Sequence, residues 1–309
     1  MISRRNIRIK VFQTIYEQAL QEDIIDIAKA EKQLEFKFQE TKALVTAILH
    51  LVYLISEYVL VYANQKASKH RPTEEDLKIN VKLAGNIIMK QLKQNVHFEE
   101  SVKKNKIAHL FDDDLVKKIF LQLIETAEYK SYIHTAERNA IDEKKMILFI
   151  VDFCIFNAED TTTFLSEKYM NWFTDAEMIK PWIDKIFMKA STFPFNQMVS
   201  YEKRTYADDL LRCYYEKKEI IFQLIDPKLV NWDADRVAII DLILLHLGIC
   251  ELLYFPTIPV KVTINEYIDL AKEYSTLQSG QFVNGLLDNV HKELLQENKI
   301  QKTDYAKKN

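Results

Sequence analysis

Apolar residues recur along most of this chain at the 3.6-residue period of an α-helix. Val11, Phe12, Ile15, Tyr16 and Ala19 share one arc and predict a helix over 4–20. Helical patterns follow around 40–63, 74–94, 113–137, 143–157 and 176–190. Polar or proline-bearing stretches interrupt them at Lys66–Pro72, Lys103–Lys106 and Thr192–Pro194. The apolar run Leu44–Tyr62 contains His50 and Glu57, which predicts a buried helix rather than a membrane span. A further helix is expected over about 203–225, before Pro227.

The last third is the most sharply punctuated. Asp233 or Asp235 can cap a helix running to about Tyr254. That helix is apolar nearly all round, with Asp241 and His246 as the main exceptions, as expected at the centre of a bundle. Pro256 and Pro259 break the chain, and Thr263 with Glu266 has the spacing of a capping box for a helix ending near Ser275. Gly280 is expected in the next turn. A last helix is expected from near Phe282, burying Phe282, Leu286, Leu287, Val290 and Leu294, before a frayed tail over 298–309. An Asn-Trp-x-x-Asp echo between 164–179 and 222–239 fits either a duplicated helical hairpin or chance.

Composition sharpens this picture. Only 4 of 309 residues are glycine and 6 are proline, so turn-rich sheets and glycine-rich phosphate loops are disfavoured and an all-α protein is expected. Cys154, Cys213 and Cys250 are too far apart for a zinc ribbon or redox dithiol, and suit a reducing cytoplasm. The basic start lacks the apolar core of a signal peptide. The histidines show no metal-ligand spacing, and Gly280 and Gly285 lack the Lys-Ser/Thr of a P-loop. No nucleophile–base–oxyanion set is visible, so no enzyme, cofactor or metal is expected. The formal net charge of −3 requires any nucleic-acid site to be a local patch.

Such a patch is available. Arg4, Arg5, Arg8 and Lys10 occur with no acid among the first ten residues. Cations at a helix start oppose the helix dipole, so local stability does not explain them. On the helical wheel the arginines extend the arc of Phe12 and Ile15 to where the apolar seam meets solvent, a position suited to phosphates; a solvated basic terminus is the alternative. Phe282, beside Asn284 and Gly285, can be core or a stacking platform for a base.

Four segments carry a family resemblance: RRNIRIKVFQTIY (4–16), PKLVNWDADRVAIID (227–241) followed by Cys250-Glu251-Leu252, IPVKVTINEYIDLAKEY (258–274) and FVNGLLDNV (282–290). In order and spacing these resemble the bacterial transcription antitermination factors of the NusB family, over about 4–20 and 203–297. The expected organisation is a split domain: a first helix within 1–20, a helical insertion or partial duplication over 21–202, and the remainder over 203–297. The resemblance implies an all-helical, non-catalytic protein. It implies binding to boxA-type RNA of ribosomal leader transcripts with a small-subunit ribosomal protein acting as NusE, within an antitermination complex on RNA polymerase. Carried over by position, RNA contacts fall on Arg4, Arg5, Arg8, Gln278, Gln281 and Phe282, and the protein-partner contacts on Tyr16 and Asp241. Asn6 and Gln281 stand where basic residues are common, and His246 where an arginine is frequent.

Two rival readings remain. One is a ribosomal RNA methyltransferase with a NusB-like domain, which would need a cofactor-binding αβ domain and its glycine-rich loop. The other is a helical interaction scaffold that has lost RNA binding. On the RNA reading, reversing the charge of Arg4 and Arg8 is expected to abolish RNA binding and leave the helical fold intact, as measured by RNA titration and circular dichroism.

Overall fold

The computed structural model describes residues 2–21, 26–135, 137–229 and 237–303. The described residues form helices and connections, with no strand. In chain order the helices are α1 (Arg4–Ala19), α2 (Ile27–Ala67), α3 (Glu74–Leu77), α4 (Ile87–Gln94), α5 (Val96–Lys104), α6 (Asp113–Leu123), α7 (Ala127–His134), α8 (Ala140–Ile150), α9 (Glu159–Lys168), α10 (Trp172–Phe187), α11 (Tyr201–Glu216), α12 (Lys218–Ile225), α13 (Ile239–Tyr254), α14 (Val260–Tyr274) and α15 (Leu277–Gln296). They form two compact units, one of residues Phe38–Met198 and one of Ile2–Lys37 with Val199–Asn309. The divisions fall at 37/38 and 198/199, whereas the sequence pattern placed them at 20/21 and 202/203.

In the continuous unit, 38–198, short helices begin at side-chain caps. Asn86, Asn95, Asp112, Thr126 and Asn139 each accept a hydrogen bond from a backbone N–H of the first turn of α4 to α8, respectively. These caps explain why the expected long helices are divided. The run 74–94 is broken between α3 and α4, where Gly85 takes φ +143° and Asn86 starts a new helix. The run 113–137 is broken at Thr126. The run 143–157 begins earlier, at Ala140, and its last turn widens to a π-helix over Val151–Phe156. The 176–190 helix starts at Trp172 and accommodates Pro181 internally. At the centre of this unit Glu143 is fully buried. It accepts from Arg138 Nη1 (3.0 Å), the Tyr132 hydroxyl (2.8 Å) and the Ile87 backbone N–H (2.9 Å).

Helix α2 is longer than the predicted 40–63. By length and composition it could cross a membrane, but 72% of its most apolar window is buried within the protein. Leu44, Ile48, Leu51, Val52, Ile55 and Val59 have at most 1% of their surface exposed, as a core helix requires. All three cysteines are buried and unpaired.

In the split unit, α13 is buried around most of its circumference and packs against α11, α14 and α15. Gly248 permits this, because a Cβ there would lie 2.9 Å from Leu287 Cδ2. The expected 203–225 helix divides at Lys217 into α11 and α12. Thr263 and Glu266 do not form a capping box: α14 starts earlier, after Pro259, and Thr263 is buried in its second turn. The last helix likewise starts earlier than Phe282. Thr276 and Ser279 form its capping box, and Gly280 lies inside α15 against the stem of Lys272. The proposed caps Asp233 and Asp235, and part of the 222–239 echo, lie outside the described residues.

Asn95 shows how a single polar side chain organises the continuous unit. It caps α5 and its Nδ2 donates to the carbonyls of Ala190 (2.9 Å) and Phe193 (3.0 Å). Asn95→Ala is expected to destabilise this unit by about 2–4 kcal/mol, from a lost cap and the orphaned carbonyls of buried Ala190 and half-buried Phe193. Denaturant titration followed by circular dichroism measures this.

Candidate nucleic-acid interface

Helix α1 positions the predicted arginines, and its packing separates their fates. Ser3 caps it by accepting from the Asn6 N–H. From Ile7 to Phe12 every residue is buried, including Arg8 and Lys10. The apolar positions therefore wrap the helix, and the expected single seam with a cationic rim is only partly present.

Arg8 is the correction. Its side chain is 2% exposed, paired with a Glu251 side chain that is 0% exposed. Arg8 Nε and Nη2 donate to Glu251 Oε2 (2.8 Å) and Oε1 (2.7 Å) in a two-pronged bridge. Glu251 also accepts from the hydroxyls of Tyr206 (2.8 Å), Thr263 (2.8 Å) and Tyr267 (3.3 Å). The Arg8 guanidinium lies 5.9 Å from both tyrosine ring centroids, within cation–π range. Helices α1, α11, α13 and α14 thus meet at one carboxylate. Burial favours the neutral acid, but the Arg8 bond and charge, with Thr263 and Tyr206, hold the Glu251 carboxyl below its ordinary value. Burial also opposes the Arg8 charge, and the same bond and its neighbours outweigh that, so Arg8 stays protonated. Lys302 Nζ completes the region by donating to the Glu251 (2.8 Å) and Phe255 (3.0 Å) carbonyls at the α13 C-terminus. Burial pushes its pKa down to about 8.

Arg4 and Arg5 remain at the surface. Arg4 Nη2 lies 2.9 Å from Glu202 Oε1 at the start of α11. Arg5 Nη2 lies 2.7 Å from Glu273 Oε2 in the last turn of α14, and its Nη1 lies 3.5 Å from Glu266 Oε2. Only Ser275 and Thr276 separate α14 from α15, so Arg5 reaches toward the helix end from which α15 departs. On α15 Gln278 and Gln281 are exposed, as are Asn284 and Gly285, and a Cβ at Gly285 would meet nothing within 4 Å. Phe282 is buried, as the core reading expected, and this corrects the RNA contact carried over to it from the resemblance. It is 6% exposed, one turn into the helix rather than at its start, so it belongs to the core and offers no open face to a base.

The proposed partner residues also differ from each other. Tyr16 is half-buried, with its ring stacked on Phe12 at 6.0 Å. Asp241 is 6% exposed and accepts from the Ser279 hydroxyl at 2.7 Å, which ties α13 to the start of α15. Its other oxygen has no hydrogen-bond partner among the described residues. His246 is buried against Tyr214 at 4.4 Å between ring centroids, and burial, with Lys218, lowers its pKa to about 4. It is therefore neutral at physiological pH and cannot replace an arginine's charge. Among the described residues no group of three His, Cys, Asp or Glu side chains is placed to hold a metal ion.

Comparison with known proteins gives this geometry its context. The NusB family profile matches residues 169–292. The transcription antitermination protein NusB of Ruminiclostridium cellulolyticum is 37% identical over 110 residues, which cover 35% of this chain and 76% of that protein. The chain belongs to the NusB family. The NusB of Methylacidiphilum infernorum is 50% identical over 78 residues, 25% of this chain, so the chain spans about half (54%) of that relative's length. The NusB of Bacillus licheniformis is 39% identical over 93 residues, 30% of this chain and 72% of its own. No solved structure matches. The NusB match begins just after α9, takes in all of α10, and does not include α1. The Arg8–Glu251 bridge nevertheless ties α1 to three helices inside the matched segment.

Glu251, Glu202 and Glu273 are the residues sequence reasoning overlooked. Glu251 had a signal: it is an acid inside an otherwise apolar helix, and such a charge needs a buried cation. Removing one member of a buried pair strands the other, so Arg8→Ala is expected to cost about 3–5 kcal/mol. Charge reversal at Arg8 would place two carboxylates together and unfold the split unit, unlike the surface residue expected from the wheel. The Glu251 value in the folded chain is below that in the unfolded chain. Its stabilisation is therefore complete above the ordinary carboxylate pKa of about 4.3 and is lost as pH falls through the folded value. Glu251→Gln is expected to be less stable at pH 7 and to show a shallower acid limb, checked by denaturation midpoints from pH 7 to 3.

Proposed function

We propose that this chain is a non-catalytic transcription antitermination factor acting in the cytoplasm. It binds boxA-type single-stranded ribosomal RNA leader sequence together with a small-subunit ribosomal protein in the role of NusE. That pair joins an antitermination complex on RNA polymerase and promotes ribosomal RNA transcription. The observation that carries this reading is the family match combined with two surface arginines, Arg4 and Arg5, of which Arg5 pairs with the last turn of α14, just before α15 begins. Guanidinium groups hold phosphates and set the RNA's register, while side-chain amides can read unpaired base edges. The sequence pattern set a helical addition at 21–202; because the family match begins at residue 169, the addition is proposed to span about 21–168. The ribosomal protein is proposed to dock on the side marked by Tyr16, with Asp241 acting from beneath the surface by fixing the start of α15.

With Arg8 inside the protein, two arginines rather than three remain for phosphates. At about 0.7 per phosphate on a single strand, the log–log salt slope from this edge is near −1.4. Titration of a boxA-type RNA at two salt concentrations, with and without the ribosomal protein, is expected to show salt-sensitive binding that tightens when the protein is present. Arg4→Glu with Arg5→Glu is expected to weaken binding at least ten-fold with an unchanged circular dichroism spectrum. Unchanged affinity in that variant would remove this edge from the interface. Protein-partner capture that needs no RNA, by a chain that binds none, would favour the scaffold reading.

A further inference from the structure

The two surface arginines are each already engaged by a carboxylate within their own unit. Glu202 begins α11 and Glu273 ends α14, so acids from two separate helices converge on the first turn of α1. Neither acid is driven there by burial, since their side chains are 79% and 42% exposed. Glu266 differs, because it is half-buried and lies 3.4 Å from the buried Arg8 as well as 3.5 Å from Arg5. A carboxylate against a guanidinium occupies the same donor fork that a phosphate uses. We propose that Glu202 and Glu273 form an acidic gate on the RNA-binding edge. Their carboxylates fill the phosphate positions in the free protein and must be displaced when single-stranded RNA binds. The inference rests on the RNA-binding reading above and assigns the two residues that set its affinity threshold.

The gate follows from competition. An exposed pair of this kind is weak and screened, so a phosphate can replace it. The exchange returns little net energy at each arginine, so phosphate contact alone binds poorly. An RNA that also satisfies the amides of α15 gains contacts with no internal competitor. The gate therefore favours RNA that engages both sets of groups over any polyanion.

Glu202→Gln and Glu273→Gln remove the competing charge and keep side-chain size. Each is expected to tighten binding of a short boxA-type RNA roughly two- to five-fold at moderate salt, with a larger proportional gain for a homopolymeric RNA of equal length. Asp209→Asn is the control: Asp209 is exposed on α11 and makes no ion pair among the described residues, so it changes the net charge equally without freeing an arginine. It is expected to change affinity less than about 1.5-fold. The Glu202→Gln gain should vanish in an Arg4→Ala background. Equal tightening by all three variants, or none by the first two, overturns the gate and leaves the RNA reading standing. RNA binding that emerges only in the glutamine variants supports it. Absence of RNA binding in the wild-type chain and every folded variant overturns both.

Discussion

The Arg8–Glu251 pair is the constraint on which the split unit depends. Four helices contribute to it, and none could satisfy its own buried polar group alone. Glu251 lies on a helix buried on nearly every side, where an isolated carboxylate would be prohibitively desolvated. Arg8 supplies the charge, and three hydroxyls fill the remaining acceptor positions. A pair this deep adds little net stability compared with well-packed apolar groups, but it penalises any arrangement that separates its members. Its value is in fixing which helices meet and in what register. The continuous unit uses the same device with different residues, gathering Arg138, Tyr132 and a helix-start N–H around Glu143.

The pair also divides the basic N-terminus into two chemistries. Arg4 and Arg5 lie on the first turn, before the helix sinks into the unit, and their guanidinium groups meet water and flexible acids. Arg8, one turn later, meets only protein. Three arginines within five residues thus include two at the surface and one enclosed by protein. The charge facing solvent is smaller than the sequence count implies, in keeping with a chain of net charge −3.

Much of this architecture was legible from the residues. The helical character followed from periodicity and scarce glycine, and α1, α13 and α15 were visible as elements. The start of α14 was not, because Pro259 can precede a helix without a side-chain cap, and Thr263 had a better partner in Glu251 than in its own backbone. The breaks within 74–94 and 113–137 depend on asparagine and threonine caps that compete locally with helix continuation, a balance periodicity does not register. Gln278 and Gln281 are exposed because polar residues on an amphipathic helix have a clear side. Arg8 was misplaced because the wheel saw only part of the packing around α1. Ile7, Ile9, Val11 and Phe12 surround α1, so a wheel built on Phe12 and Ile15 assigned it an open face that tertiary packing closes. Phe282 is in the core as expected, but its helix starts about one turn earlier, at Leu277.

The distance along the chain between Arg8 and Glu251 bears on how the protein is made. The two residues are 243 positions apart, so α1 leaves the ribosome long before its counter-charge exists. Residues 38–198 are contiguous and have their own buried centre, so they can fold in the interval. During that time α1 must keep Ile7, Ile9, Val11 and Phe12 from other apolar surfaces. Closing so long a loop is slow, but its entropy grows only logarithmically with length, and prior folding of the intervening unit shortens the effective tether. The late-arriving carboxylate then completes assembly. Nascent chains arrested before residue 251 would present an unfinished first helix to chaperones.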